Sequence, residues 1–405
     1  MPVCYRRLST FAAAALLVPV AAANERFAAV DTILADLSKI TGLAVKRKVP
    51  ADMMTRDRLK LYLEDRIRES VKPEEIRAEE LTLKRFGFLP PEFDLKSATV
   101  ELLTEQAAAF YDFRKRRLFL LEHTSGWMQD SALIHELAHA LADQHFRLEK
   151  FIEAGGKSDD GATARMAVME GQASWLMAEY TARKAGGSLQ DSPAVLEALT
   201  NANLSGSEFP VFSKAPLYLR ETLLFPYTRG TAFQHAVFLK LGQPGFAEVF
   251  RRPPATTQQV LHPELYLERR EPSNPELPPA PGDGWRELSA GTVGELDHAI
   301  LLKQYVGDAE AARLAPLWRG GRYRVLEDKS GNGATALLYV SAWDTAAAAG
   351  EYFALYRRVL AGKWKTLTAE ETTSGVFAGH GSGGDFRVEW NGTQVKAVEG
   401  VKTIK

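Results

Sequence analysis

Cysteine is almost missing from this chain. One occurs in 405 residues, Cys4, close to the N-terminus. With no second cysteine there is no disulfide framework, so stability must come from a packed core or from metal. Net charge is missing too: 50 Lys and Arg stand against 51 Asp and Glu, a formal −1. That excludes the strongly basic surface of a nucleic-acid binder and a polybasic attachment to anionic lipid. Beyond the N-terminus no apolar run is long enough to span a bilayer. No internal repeat is found. What remains is an ordinary globular composition, 45% hydrophobic and 25% charged, in a length that suits about two or three domains.

The one long apolar stretch reads as a signal peptide over residues 1–23. Arg6 and Arg7 form a basic region. Phe11 to Val20 is an apolar core, and Ala21-Ala22-Ala23 before Asn24 is a small-residue cleavage site. Cys4 does not sit at that site, so no lipid anchor is expected. Removing Arg6 and Arg7 takes the formal charge from −1 to −3. The expectation is a bacterial periplasmic or secreted protein with no membrane span after cleavage.

The densest chemistry lies in Ser131 to His145, which contains His135-Glu136-Leu137-Ala138-His139. Helical positions four apart share a face, so the two imidazoles aim at one ion. Glu136 stands beside them as general base, the arrangement of a zinc hydrolase and most often of a peptidase. Leu133, Ile134, Leu137, Ala138, Ala140 and Leu141 make this helix apolar nearly all round, so it should be buried. Buried histidines and a buried glutamate need partners, and Zn2+ supplies them.

A third ligand is sought on the helix read from Thr163 to Lys184. Glu170 interrupts an apolar stripe of Met166, Ala173 and Met177, where an unpaired carboxylate is costly. Two histidines and a glutamate leave a fourth position for water. Gly171 allows close approach of a neighbouring helix. Glu179 is the fallback. His145 is a rival third ligand, but Ala142 stands where a turning glycine is needed, so the helix should carry His145 off the ligand face. Asp143 is a candidate to buttress a histidine from behind. Tyr227, Arg229 and His235 are candidates to stabilise an oxyanion, Tyr227 foremost. His262 reads as a structural contact.

Around these residues the chain alternates helices with short strands. Helices are expected from Asn24 to Ile40, from Arg56 to about Glu69 with Thr55 as cap, from Pro73 to Gly87, and from Ala98 to Glu105. Ala44 to Pro50 reads as extended. Ala109 to Leu121 reads as a hairpin turning near Asp112 to Arg116. A strand in that place can line a cleft and pair its free edge with an extended peptide. Asn201 to Pro216 reads as irregular, and Leu223 to Gly230, with Pro226, as the approach to a helix ending at Leu241. Residues 272–290 read as a Pro-rich linker. Beyond it come a helix from Thr292 to Val306, strands at 323–326, 336–341, 385–390 and 394–398, and a helix from Asp344 to Ala361. Asn391-Gly392 is a hairpin turn, and Gly379 to Gly384 reads as a flexible loop. The fold class is α+β: a mainly helical metallopeptidase domain with a small sheet over 24–271, then a smaller unit with an antiparallel sheet over 291–405.

His135-Glu136-x-x-His139 with downstream Glu170-Gly171-Gln172-Ala173 resembles the gluzincin branch of zinc metallopeptidases. The resemblance covers about Ala109 to Lys184. It implies a zincin-like fold, with Zn2+ on His135, His139 and Glu170, Glu136 as general base, and a peptide or protein substrate. Thermolysin-type members place Asn before the ligand Glu and Asp four residues after it; Met169 and Ser174 stand there here. The order of Phe110-Tyr111-Asp112, the histidine helix, Glu170-Gly171, Phe225-Pro226-Tyr227 and Leu261-His262-Pro263 is similar to a set of bacterial exported proteins with no known activity. Two other functions fit the same residues: a non-catalytic envelope binding or assembly protein that retains the fold, and a zinc hydrolase of non-peptide bonds.

Overall fold

A computed structural model describes residues 23–122, 126–201 and 209–401. The signal-peptide expectation falls outside them, Ala23 apart, as does the middle of the Asn201–Pro216 stretch. The longer helices are α1 (Ala23–Thr41), α2 (Arg56–Ser70), α3 (Pro73–Phe86), α4 (Leu95–Gln106), α5 (Gly126–Phe146), α6 (Asp159–Lys184), α7 (Leu217–Leu241), α8 (Glu295–Tyr305) and α9 (Ala346–Lys363). Two sheets accompany them. β1 (Ala51–Met54), β2 (Ala109–Asp112) and β3 (Arg117–Leu121) lie in the order β1-β3-β2, β1 parallel to β3 and β2 antiparallel to it. β4 (Trp285–Thr292), β5 (Trp318–Asp328), β6 (Thr335–Trp343), β7 (Leu367–Thr372), β8 (Val376–Gly381), β9 (Gly384–Asn391) and β10 (Gln394–Val401) form an antiparallel sheet in the order β4-β5-β6-β10-β9-β8-β7. The layout is α+β.

Local chemistry explains most boundaries. Thr55 caps α2 by accepting from Arg58 N, and Asp94 caps α4 by accepting from Ser97 N. α3 opens on Pro73 and closes on Gly87 at φ 85°, the left-handed region that glycine adopts without cost. Gly392, at φ 56°, turns the β9–β10 hairpin where Asn391-Gly392 predicts it.

Four expectations are corrected. The strand after α1 is Ala51–Met54 rather than Ala44–Pro50, because it pairs in register with Leu118 to Leu121. α7 starts at Leu217 and runs through Pro226. A proline inside a helix removes one hydrogen bond and normally kinks or ends it; here tight packing on α6 keeps the helix going. The last part of the 272–290 linker is β4, whose Trp285 to Thr292 pair with β5, so the next helix starts only at Glu295. Gly379 to Gly384 is not a loose loop but the ends of β8 and β9 around a tight turn. A Cβ on Gly379 would meet Thr368 O at 2.0 Å, and one on Gly383 would meet Trp364 at 2.3 Å. Glycine is needed there for close approach, not for mobility.

The two units share one core. Phe86 of α3 stands edge-on to Tyr323 and Tyr339 of the large sheet, with ring centroids 5.4 and 5.8 Å apart. Buried residues from α6, α7, α8 and both faces of that junction belong to a single apolar cluster. The segment between the units is itself docked: Ser273 N donates to Arg319 O at 2.7 Å. A second cluster, built from α1, β2, β3, α5 and the middle of α6, surrounds the histidines.

Candidate metal centre

α5 is the central helix of that second cluster. Leu133, Leu137, Ala140 and Leu141 are almost fully buried around it, so its polar residues are buried with them. His135, Glu136 and His139 are at most 2% exposed, and Glu170 on α6 is 1% exposed. The first three each offer an atom within 4.8 Å of the others, but a tighter set replaces Glu136 with Glu170. His135 Nε2 lies 3.1 Å from His139 Nε2 and 3.1 Å from Glu170 Oε2, and His139 Nε2 lies 3.2 Å from the same oxygen.

This triangle fits a metal. Zinc holds nitrogen and oxygen ligands at about 2.0–2.2 Å, which puts tetrahedral ligand atoms about 3.3–3.5 Å apart. The three atoms here stand 3.1–3.2 Å apart, slightly inside that spacing, so a small outward shift would seat an ion among them. Glu179 and His145 are elsewhere. Glu179 accepts from Arg183 Nε, Ser188 Oγ and Leu189 N and ties down the turn after α6. His145 Nε2 lies 2.8 Å from Ala44 O. The residues present therefore fit a two-histidine, one-glutamate set.

The electrostatics describe a clamped cluster. Burial opposes ionisation of Glu170, but the His139 charge and the hydrogen bonds from both imidazoles outweigh it and take its pKa down to about 2. Burial lowers His135. Burial also acts to lower His139, yet the Glu170 and Glu136 carboxylates together leave it raised. Glu136 is pushed up to about 7, chiefly by burial. That value suits a general base, which works best with a pKa near the operating pH. Two buried atoms of the cluster, His135 Nδ1 and Glu170 Oε1, have no hydrogen-bond partner among the described residues. The expected support from Asp143 does not reach them: Asp143 accepts from Arg47 at 2.8 Å, Tyr111 OH at 3.2 Å and Leu148 N at 3.0 Å.

One anchor of the site is not legible in side chains. Tyr111 N, on β2, donates to Glu136 Oε2 at 2.7 Å. The hairpin just before α5 was the only signal for it. The same bond changes the expectation about the strand. β2 is an edge by topology, but Ala109 to Asp112 are all buried, and the Tyr111 amide is occupied by Glu136 rather than free for a peptide.

The oxyanion candidates separate. Tyr227, half-buried on α7, stacks on the His135 ring at 5.9 Å and 29°. His235 is two turns further along, about 12 Å by helical rise. Its Nδ1 accepts from Trp175 Nε1 at 3.1 Å, and burial lowers its pKa. The structure does not bring His235 to the cluster. Arg229, two residues after Tyr227, lies about 200° round the helix from it and faces a different cavity.

What presses Tyr227 onto the histidines is a glycine contact. A Cβ on Gly171 would meet Gly230 C at 2.1 Å, and one on Gly230 would meet Ala167 O at 2.2 Å. α6 and α7 thus touch backbone to backbone, directly beside Glu170 and Tyr227.

Comparison with known proteins touches only the other end of the chain. Residues 284–405 match a family described as a domain of unknown function (DUF8575). No curated protein and no solved structure matches the chain.

Proposed function

We propose that this protein is an exported zinc metallopeptidase of zincin-like fold, with His135, His139 and Glu170 as the metal set. The observation that carries the reading is the triangle of ligand atoms beside a buried Glu136 held from behind by the Tyr111 amide. Zinc in that set supplies Lewis acidity, which acidifies water and polarises a carbonyl oxygen. The chain's own residues do the rest. Glu136, with one oxygen tied to Tyr111 N, takes the proton of the attacking water on the other and passes it to the leaving amine. Glu170 and the two imidazoles hold the charge balance of the site. Tyr227, whose ring stacks on His135, donates to the developing oxyanion in this reading. The substrate is a peptide or protein segment, and the site of action is the periplasm or the exterior.

A second reading is favoured by one observation. All four site side chains are buried to within 2%, and structural zinc sites are closed whereas catalytic ones keep an open position. A non-catalytic envelope protein with a stabilising metal has that property. Peptide-library cleavage and metal analysis of wild type and Glu136→Gln separate the two. The peptidase reading expects one zinc per chain in both proteins, with cleavage lost by about a thousandfold in the variant, as for removal of a principal acid–base group. Stoichiometric zinc with no Glu136-dependent cleavage gives the protein to the second reading.

A further inference from the structure

A cavity lies apart from the histidine cluster. Where α7 meets α8 and the helix Asp308–Leu314, a cavity of about 650 Å³ opens between the two units. It lies on a different face of α7 from Tyr227. Its volume is in the range of small-molecule sites, which favour such junctions.

Three features of its lining define what it would take. Glu295 is 3% exposed. Its Oε1 lies 2.9 Å from His262 Nε2, while its Oε2 has no hydrogen-bond partner among the described residues. A buried carboxylate oxygen without a donor is costly, and a ligand N–H is the natural complement. Arg229 lines the cavity on α7, is exposed, and forms no ion pair or hydrogen bond among the described residues. Its guanidinium suits a carboxylate. The lining also carries apolar side chains, Phe225 and Ile300 among them. Lys303 is not available in the same way. Its Nζ lies 2.9 Å from Glu221 and 3.4 Å from Asp308, so it straps α8 to α7.

We propose that this cavity is a second binding site, for a free α-amino acid with an apolar side chain. The ammonium group meets Glu295, the carboxylate meets Arg229, and the side chain packs on the Phe225 wall. The charges already present agree with a ligand of no net charge. Glu221, Glu295 and Asp308 line it together with Arg229, Lys303 and His262, and the hydrogen bond that His262 donates to Glu295 raises the pKa of His262, favouring its charged form. The site is independent of the hydrolytic reading and does not share a side chain with it.

The test uses the full chain, calorimetry, and three probes: L-leucine, leucinamide (no carboxylate) and N-acetyl-L-leucine (no ammonium). Leucine is expected to bind with a Kd of about 1 mM or tighter, and each blocked probe about tenfold more weakly. Arg229→Ala should weaken leucine about tenfold and leave leucinamide unchanged, because only the carboxylate contact is lost. Glu295→Gln, which keeps the shape, should weaken leucine and leave N-acetyl-leucine unchanged. Absence of leucine binding to folded wild type at about 10 mM overturns the proposal. So does leucine binding that both variants leave untouched, or that disappears when EDTA strips the metal, since that binding would belong to the histidine cluster.

Discussion

At the scale of single residues, the histidine cluster and the buried His298 make opposite demands on a proton. In the cluster, two imidazole nitrogens and a carboxylate oxygen within 3.2 Å of one another are accommodated best by a cation. Zinc added to metal-free protein is therefore expected to raise the melting temperature, and Glu170→Gln to weaken zinc at least tenfold, as read by chelator competition. His298, by contrast, is held neutral. Its Nδ1 donates to Gly294 O at 2.7 Å and its Nε2 accepts from Tyr339 OH at 2.5 Å. Burial takes its pKa down to about 4. Because the folded value lies below the usual value near 6.5, the unfolded chain binds this proton more tightly. The contribution of His298 to stability is intact above about pH 6.5 and is lost as the pH falls toward 4, on the order of 1 kcal/mol per pH unit. Urea unfolding of wild type and His298→Gln at pH 7 and pH 5 checks this. The variant should be less stable at pH 7 yet lose less on acidification. An equal acid loss in both proteins would remove His298 from the account.

At the scale of elements, the contact between α6 and α7 decides whether the site exists. Glu170 and Tyr227 belong to different helices, and both are placed by the Gly171–Gly230 crossing. A methyl group on Gly171 has only backbone to push against. Gly171→Ala is therefore expected to cost about 2 kcal/mol or more by denaturant melts, the usual scale of overpacking, and to loosen zinc binding in parallel. Gly156→Ala, which meets nothing within 4 Å, is the control and should change stability by no more than about 0.5 kcal/mol. The same crossing explains why α7 was misread from sequence. Pro226 looks like a stop because the residues around it say nothing of α6. With α6 packed along its length, the helix tolerates one missing hydrogen bond. The spacing His135-x3-His139, the Thr55 cap and the Asn391-Gly392 turn were all legible, because each depends on residues within one or two turns of itself.

At the scale of the molecule, the proline-rich stretch suggested two bodies on a tether, but the structure joins them. Arg85 of α3 donates to Glu399 O at 3.0 Å and to Gly383 O at 3.2 Å, Tyr323 OH donates to Asp159 at 2.8 Å, and the apolar cluster runs through. Unfolding in urea is expected to show one transition by both tryptophan fluorescence and circular dichroism. A fragment ending at residue 271 should be insoluble, since its half of the shared core would face water. Two separated transitions would show that the units are independent. The amino-acid sequence by itself determined the α+β class, most of the longer helices, the β2–β3 and β9–β10 hairpins, the three residues of the histidine motif, and Glu170 as the acid that needed a partner. These rest on short-range periodicity, capping and the cost of burying charge. Only the tertiary structure decided that Glu170 and not Glu179 or His145 stands with the two histidines, that a β2 amide holds Glu136, that His235 is drawn away by Trp175, and that the two units close around a second cavity. Each of those depends on contacts between residues 25 or more positions apart, and no local pattern encodes which distant partner a side chain will meet.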